Sequence, residues 1–364
     1  MVCIISLPVF LTAQSTQVIA IDQGGTRTSQ AVLNIMQPQQ KAKNYTISVG
    51  NSFPSGTTIN TPPNTTLRVG ANGNQQDILP NSQHNIRITP KMEIHKTITG
   101  KVVHYKNNHD PKYVYKATSH SITANPQGTI FSVTVQNNNT RIDVQKGKVI
   151  AAEKVNVKVN ETSKNNASQK NRQLTGTKTQ TLGENQSQTF DDQIDYVYYD
   201  TYEQAIAEIR TQLNQDLNIY YLDPELIGDE YLVLGELLLD EGYTTDAINY
   251  FNEAIGYYQQ VDFSEIYQAE ANLLIAEAYW LDDRMDYVNY HTDLAIRLIT
   301  PVLNYDIELY NYAYEMDDTF LMEEIAIDLF YDYDFMGWAY ELKDNWEMAD
   351  KYYDAADSLP YSGY

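Results

Sequence analysis

The chain has 364 residues, 25 basic and 48 acidic side chains, a formal charge of −23 and one cysteine. The charge is divided unevenly: residues 1–190 hold 20 basic and 8 acidic side chains, and residues 191–364 hold 5 and 40, together with 26 of the 30 tyrosines. So acidic a half repels phosphate backbones, which argues against nucleic acid and for basic partners or cations. A lone cysteine leaves no disulfide framework and no thiolate zinc site.

Residues 1–15, MVCIISLPVFLTAQS, carry a short apolar run followed by Thr12-Ala13-Gln14. This resembles the core and cleavage region of a secretory signal without its usual positive start, so a start further upstream is expected. A buried first strand is the alternative. No later stretch approaches the ~20 apolar residues of a membrane span. Residues 16–190 then show short β-rich runs, among them Gln17–Ile21, Thr65–Val69, Met92–Val103, Ile130–Gln136 and Lys148–Val155. Phe131, Val133 and Val135 alternate with polar residues, as on a half-buried strand. Asn125-Pro-Gln-Gly128 and Lys146-Gly147 read as turns, and Thr179–Leu182 with Gln186–Phe190 reads as a last hairpin. Residues 156–175 are polar and read as a mobile loop. An all-β sandwich or roll is expected.

Val49-Gly-Asn-Ser-Phe-Pro-Ser-Gly56 with Ile59-Asn-Thr61, then Gly128-Thr129-Ile-Phe131-Ser-Val133, Val144-Gln-Lys-Gly147-Lys-Val149 and Thr181-Leu-Gly183, follow one another in the order of the FecR-type domain. Residues 25–190 resemble that family. The resemblance implies a periplasmic or extracellular module that senses or binds.

From Asp195 the apolar period changes from two to 3.6, and residues 199–216 read as a leading helix before the Asp223-Pro224 break. Three units follow at spacings of 41 and 61 residues. The first carries Leu234, Gly235, Leu238, Ala247, Phe251 and Ala254. The second carries Ile275, Ala276, Tyr279, Val288 and Ala295, with Pro301 near its end. The third carries Met336, Gly337, Tyr340, Ala349, Tyr353 and Ala356. Residues 196–360 thus resemble tetratricopeptide repeats (TPR), an α-solenoid of stacked helical hairpins. Small residues at Gly235, Ala276 and Gly337 would let paired helices approach, and Phe251 or Tyr353 would fill the gap to the next hairpin. Separate helices are expected at 302–315 and 319–329.

In tetratricopeptide relatives the first helix of each hairpin lines a groove. Carried over, that wall comprises Asp229, Glu236, Asp240, Glu270, Glu277, Trp280, Tyr331, Asp334, Trp338 and Glu341, with Leu232 and Leu273 as either lining or core. Acids with aromatic planks suit a protein segment or basic peptide carrying Lys or Arg. The basic first half is a second expected partner for the acidic array. Calcium is a third, at Asp282-Asp283, Asp317-Asp318, Glu323-Glu324 and Asp332-Tyr-Asp334, although no dedicated calcium loop occurs.

No catalytic set, metal site or cofactor motif is expected from the sequence. Of His84, His95, His104, His109, His120 and His291, no pair has the spacing of a zinc hydrolase; His104 and His109 are five apart without a third ligand near and are expected at the surface. Gly70-Ala-Asn-Gly73 lacks a phosphate-loop lysine, and no Gly-x-Ser-x-Gly elbow occurs. The expectation is a non-enzymatic exported bacterial protein of the cell envelope, with a binding module joined to an acidic interaction array. The alternative is a regulator of siderophore or metal uptake acting through a membrane partner.

Overall fold

The computed structural model describes residues 15–37, 42–89, 92–108, 110, 113–119, 122–160, 174–191, 195–218, 223–262, 264–315 and 319–359. The apolar start at residues 1–14 lies outside them. The chain forms two units: Met1–Ala151 with Gln180–Asp192, and Ala152–Thr179 with Gln193–Tyr364.

The first unit is built of strands. They begin with β1 (Ser15–Gln23), β2 (Thr26–Thr28), β3 (Gln30–Met36), β4 (Lys43–Ser48), β5 (Ser52–Pro54) and β6 (Thr57–Asn60). There follow β7 (Thr65–Ala71), β8 (Asn74–Ile78), β9 (Gln83–Ile88), β10 (Met92–Tyr105), β11 (Val114–Thr118) and β12 (Ile122–Gln136). β13 (Asn139–Val159) and β14 (Leu174–Leu182) are shared between the units, and β15 (Ser187–Asp191) completes the first. Alternation places Val18, Ala20, Leu33, Ile35, Leu67 and Val69 inward, and two apolar cores result. One draws on β1 and β3–β10, the other on β11–β15.

β10 connects the two groups by changing partners halfway. Glu93–Thr99 pairs with β9 while Met92–Lys96 runs parallel to β11; Gly100–Tyr105 instead pairs with β12, and Val102–Tyr105 with β8. The change occurs at a register shift between Thr97 and Thr99, followed by Gly100 at φ +88°. A Cβ at Gly100 would lie 2.6 Å from Ser82 Cα, so both the backbone angle and the space demand glycine.

Two expected turns are not turns. Asn125-Pro-Gln-Gly128 lies inside β12, and Lys146-Gly147 inside β13. Gly128 and Gly147 both have positive φ, and a Cβ on Gly147 would sit 2.7 Å from the Gly128 carbonyl oxygen. The two strands therefore deform side by side without breaking. Around Gly183 the expected turn forms, with Gln186 N bonding to the Gly183 carbonyl at 3.1 Å, but β14 and β15 each bond to β13 rather than to each other. Of the polar stretch 156–175, residues 156–159 end β13, 174–175 begin β14, and 161–173 lie outside the described residues.

In the second unit β16 (Asp195–Tyr199) runs parallel to Val155–Val159 of β13. The helices are α1 (Tyr202–Asp216), α2 (Pro224–Asp240), α3 (Thr244–Tyr258), α4 (Glu265–Leu281), α5 (Met285–Glu315), α6 (Thr319–Leu342) and α7 (Trp346–Asp357). Thr201 caps α1 by accepting from Gln204 N, and Asp223 caps α2 with Pro224 in its first turn. The separate helices expected at 302–315 and 319–329 are instead the second half of α5 and the first half of α6. Pro301 sits inside α5, and the helix continues because Ile299 and Leu303 on either side are both buried. Among the described residues no helix is long and apolar enough to cross a membrane.

Candidate functional site

The helical unit repeats one hairpin three times: α2 with α3, α4 with α5, and α6 with α7. Each pair turns on the same motif. Gly242, Asp283 and Asp344 adopt φ of +83°, +56° and +57°. In each turn the next amide, of Tyr243, Arg284 or Asn345, bonds back to the carbonyl of Leu238, Tyr279 or Tyr340. This is the αL helix stop with its long back-bond. Its spacing of 41 and 61 residues matches the sequence repeat.

Within the hairpins the glycines are contact points, with a correction to what they touch. A Cβ on Gly235 would lie 2.6 Å from Phe251 Cδ1, and one on Gly337 2.5 Å from the Tyr353 ring. The aromatic ring thus lies on the glycine of its own hairpin, where a gap to the next hairpin was expected. Gly228 receives Tyr258 in the same way, at 2.5 Å, a third contact that sequence reasoning missed.

The ten residues of the expected groove do not form one exposed wall. Trp338 and Glu277 are each only 5 % exposed, and Leu232 and Leu273 are core. α4 is buried without interruption from Ala271 to Ala278, so no solvent face exists there for Glu277 to line. Three acids are held by tyrosines: Tyr258 donates to Asp229 at 2.8 Å, Tyr353 to Glu341 at 2.8 Å and Tyr202 to Asp240 at 3.3 Å. Burial, opposed by Lys154, raises Asp229 to about 6. Glu236, Glu270 and Asp334 are half-buried, while Trp280 and Tyr331 are 44 % and 48 % exposed. Three of the basic side chains are engaged internally: Arg284 lies over Tyr279 and Tyr287 at 4.8 and 4.1 Å, Arg210 donates to Tyr250 at 3.2 Å, and Lys343 pairs with Asp293. Tyr287, Tyr290 and Tyr305 are exposed. Of the expected calcium clusters, Asp317-Asp318 and the side chains of Glu323 and Glu324 lie outside the described residues, and Asp332 is buried.

The densest chemistry lies in the first unit, where His104 was expected at the surface. His84, His95 and His104 are fully buried with Glu93. Glu93 accepts from His95 Nε2 at 2.6 Å, Asn74 at 3.0 Å, Gln76 at 3.1 Å and Tyr113 at 3.2 Å. His84 Nε2 and His95 Nδ1 are 3.1 Å apart in stacked rings, and Thr97 reaches His84 Nδ1 at 3.5 Å. Tyr115 receives Gln76 Nε2 at 3.0 Å and so donates to His104 Nδ1 at 2.9 Å. That leaves the His104 proton on Nε2, which has no partner. Burial, then the neighbouring His95, holds His84 and His104 well below the usual imidazole range. The chain Thr97–His84–His95–Glu93 can pass a proton along its length, but all four side chains are shut from solvent. Among the described residues no three His, Cys, Asp or Glu side chains are arranged to hold a metal ion. His109 and His120 lie outside the described residues, and His291 is half-buried against Asn272 at 2.9 Å.

No family model matches the chain, and no curated protein matches it. Among solved structures it is similar to BtubC (BKLC) from P. vanneervenii, with 14 % identity, a TM-score of 0.26, and 43 % of this chain and 72 % of that one covered. It is also similar to MamA, with 22 % identity, a TM-score of 0.22, and 43 % and 88 % covered. A putative kinesin light chain of Podosopora anserina with nearly identical TPR-like repeats gives 9 %, 0.25, 43 % and 86 %. The glycine–aromatic hairpins and their repeated turns carry the description of a TPR-like helical unit.

Proposed function

We propose that the protein is a non-enzymatic interaction scaffold of the cell envelope, exported to the periplasm or beyond, whose TPR-like unit holds a basic segment of a protein partner. The observation that carries this is a stack of nested hairpins whose exposed positions include acids and aromatic rings, while Arg210, Arg284 and Lys343 are already engaged. Arg284 between Tyr279 and Tyr287 displays, within the molecule, the cation–aromatic contact that a partner arginine would make at Trp280 or Tyr331. The first unit is read as a ligand- or surface-binding module of FecR type. That reading rests on the order of the sequence motifs from Val49 to Gly183.

The test is binding of the full chain to labelled extended peptides, one Lys/Arg-rich and one Asp/Glu-rich. The basic peptide should bind, weaken with salt, and lose about tenfold in affinity, ~1.4 kcal/mol, in Trp280→Ala or Tyr331→Ala. Glu270→Lys should weaken it further. Equal binding of the acidic peptide, or indifference to all three substitutions, would refute the reading.

A further inference from the structure

Two pairs of carboxyl groups are buried between helices of the second unit. Asp216, the last residue of α1, and Glu230 on α2 are 1 % and 2 % exposed and within hydrogen-bond reach of each other. Asp216 accepts from Thr179 Oγ1 at 3.0 Å and Gln212 Nε2 at 2.8 Å, whereas neither oxygen of Glu230 has a donor. The second pair, Asp306 on α5 and Asp332 on α6, repeats the arrangement, and Asp332 Oδ2 has no donor.

The surroundings are acidic in both places. Asp216 on α1 and Asp229 on α2 itself act on Glu230. Asp229 in turn faces Lys154 on β13, Tyr258 on α3, and Asp223 and Glu225 at the start of α2. Asp306 and Asp328 act on Asp332, with Tyr333 beside it and Tyr267 of α4 facing Asp328. Two carboxylates in contact and away from water cannot both ionise, and two ionised groups cannot bond to each other because neither carries a donor. A single proton supplies that donor and removes one of the charges.

We propose that each pair, Asp216–Glu230 and Asp306–Asp332, shares one proton at neutral pH, so that carboxylic acid–carboxylate hydrogen bonds clasp α1 to α2 and α5 to α6, and that the helical array tightens in acid and loosens in alkali. Burial first, then the partner carboxylate, pushes Glu230 up to about 10 and Asp332 to about 8. Both values lie above those of the unfolded chain, so the folded array holds protons that the unfolded chain has released. The contribution is whole below the ordinary carboxylate range and is lost as pH rises through the folded values.

The experiment is urea unfolding of the full chain followed by helical circular dichroism at pH 5, 7 and 9, with Glu230→Gln/Asp332→Asn alongside. An amide keeps a donor in each pair at every pH. The wild-type midpoint should fall from pH 5 to pH 9, and the variant should lose at least half of that fall. An equal fall in both proteins overturns the proposal. So does a wild-type midpoint restored at pH 9 by millimolar calcium, which would put a cation where the proton is placed. If the double variant does not fold, infrared spectra of the wild type decide. A protonated carboxyl carbonyl band at pH 7 that vanishes above pH 10 supports the clasp, and its absence at pH 7 overturns it.

Discussion

Glu93 holds four donors from four side chains on two strands and a loop, all of them shielded from water. Such a network is strong while complete and expensive when broken, because each orphaned donor has been stripped of solvent. Glu93→Ala should therefore destabilise the first unit by about 3–5 kcal/mol, and Glu93→Gln by less, since an amide oxygen still accepts. Urea unfolding followed in the β-sheet signal measures this. A loss below ~1 kcal/mol for Glu93→Ala would show that the network is not a structural keystone. The sequence held a partial signal: Glu93, His95 and Thr97 alternate along one strand and so share a face. What they meet there, His84 and Tyr115, depends on the pairing of β10 with β9 and β11, which alternation does not specify.

At the scale of the element, the hairpins depend on glycines where rings lie on the backbone. Gly235→Ala and Gly337→Ala force a methyl group against Phe251 and Tyr353, and each should cost about 1–3 kcal/mol in thermal or urea unfolding. Gly256→Ala in exposed α3, where nothing lies within 4 Å, should instead stabilise by about 0.5–1 kcal/mol, since alanine is the better helix former. A penalty at Gly256 as large as at Gly235 would mean that the ring contact is not what sets the cost at these glycines. The glycines were legible as small residues at repeat positions. Their contacts were not, because a signature gives spacing along the chain and not the side chain that arrives from the partner helix. Glu277 and Leu273 were assigned to a lining face for a related reason: α4 is apolar nearly all round, and in such a helix periodicity does not tell a lining face from a core face.

For the whole molecule, the two units should respond to pH in opposite senses. His84 and His104 are held neutral by burial, so below about pH 6.5 the unfolded chain takes up protons that the folded first unit refuses, and that unit loses stability as pH falls. The helical unit gains in the same direction through Glu230 and Asp332 and through relief of repulsion among its acids. Two unfolding transitions followed at pH 5, 6, 7 and 8 should move toward or past each other, the sheet signal weakening in acid and the helix signal in alkali. Parallel movement would contradict the assignment of these buried groups.

The sequence alone determined the division into a strand-rich half and a helix-rich half, the spacing of the hairpins and the acidic character of the second half, because periodicity, turn residues and charge are local properties. Tertiary structure decided which polar groups leave water. Glu93 with its histidines, and Asp216 with Glu230, are ordinary surface residue types until strands and helices far apart in the chain close over them, and burial then sets their protons and partners.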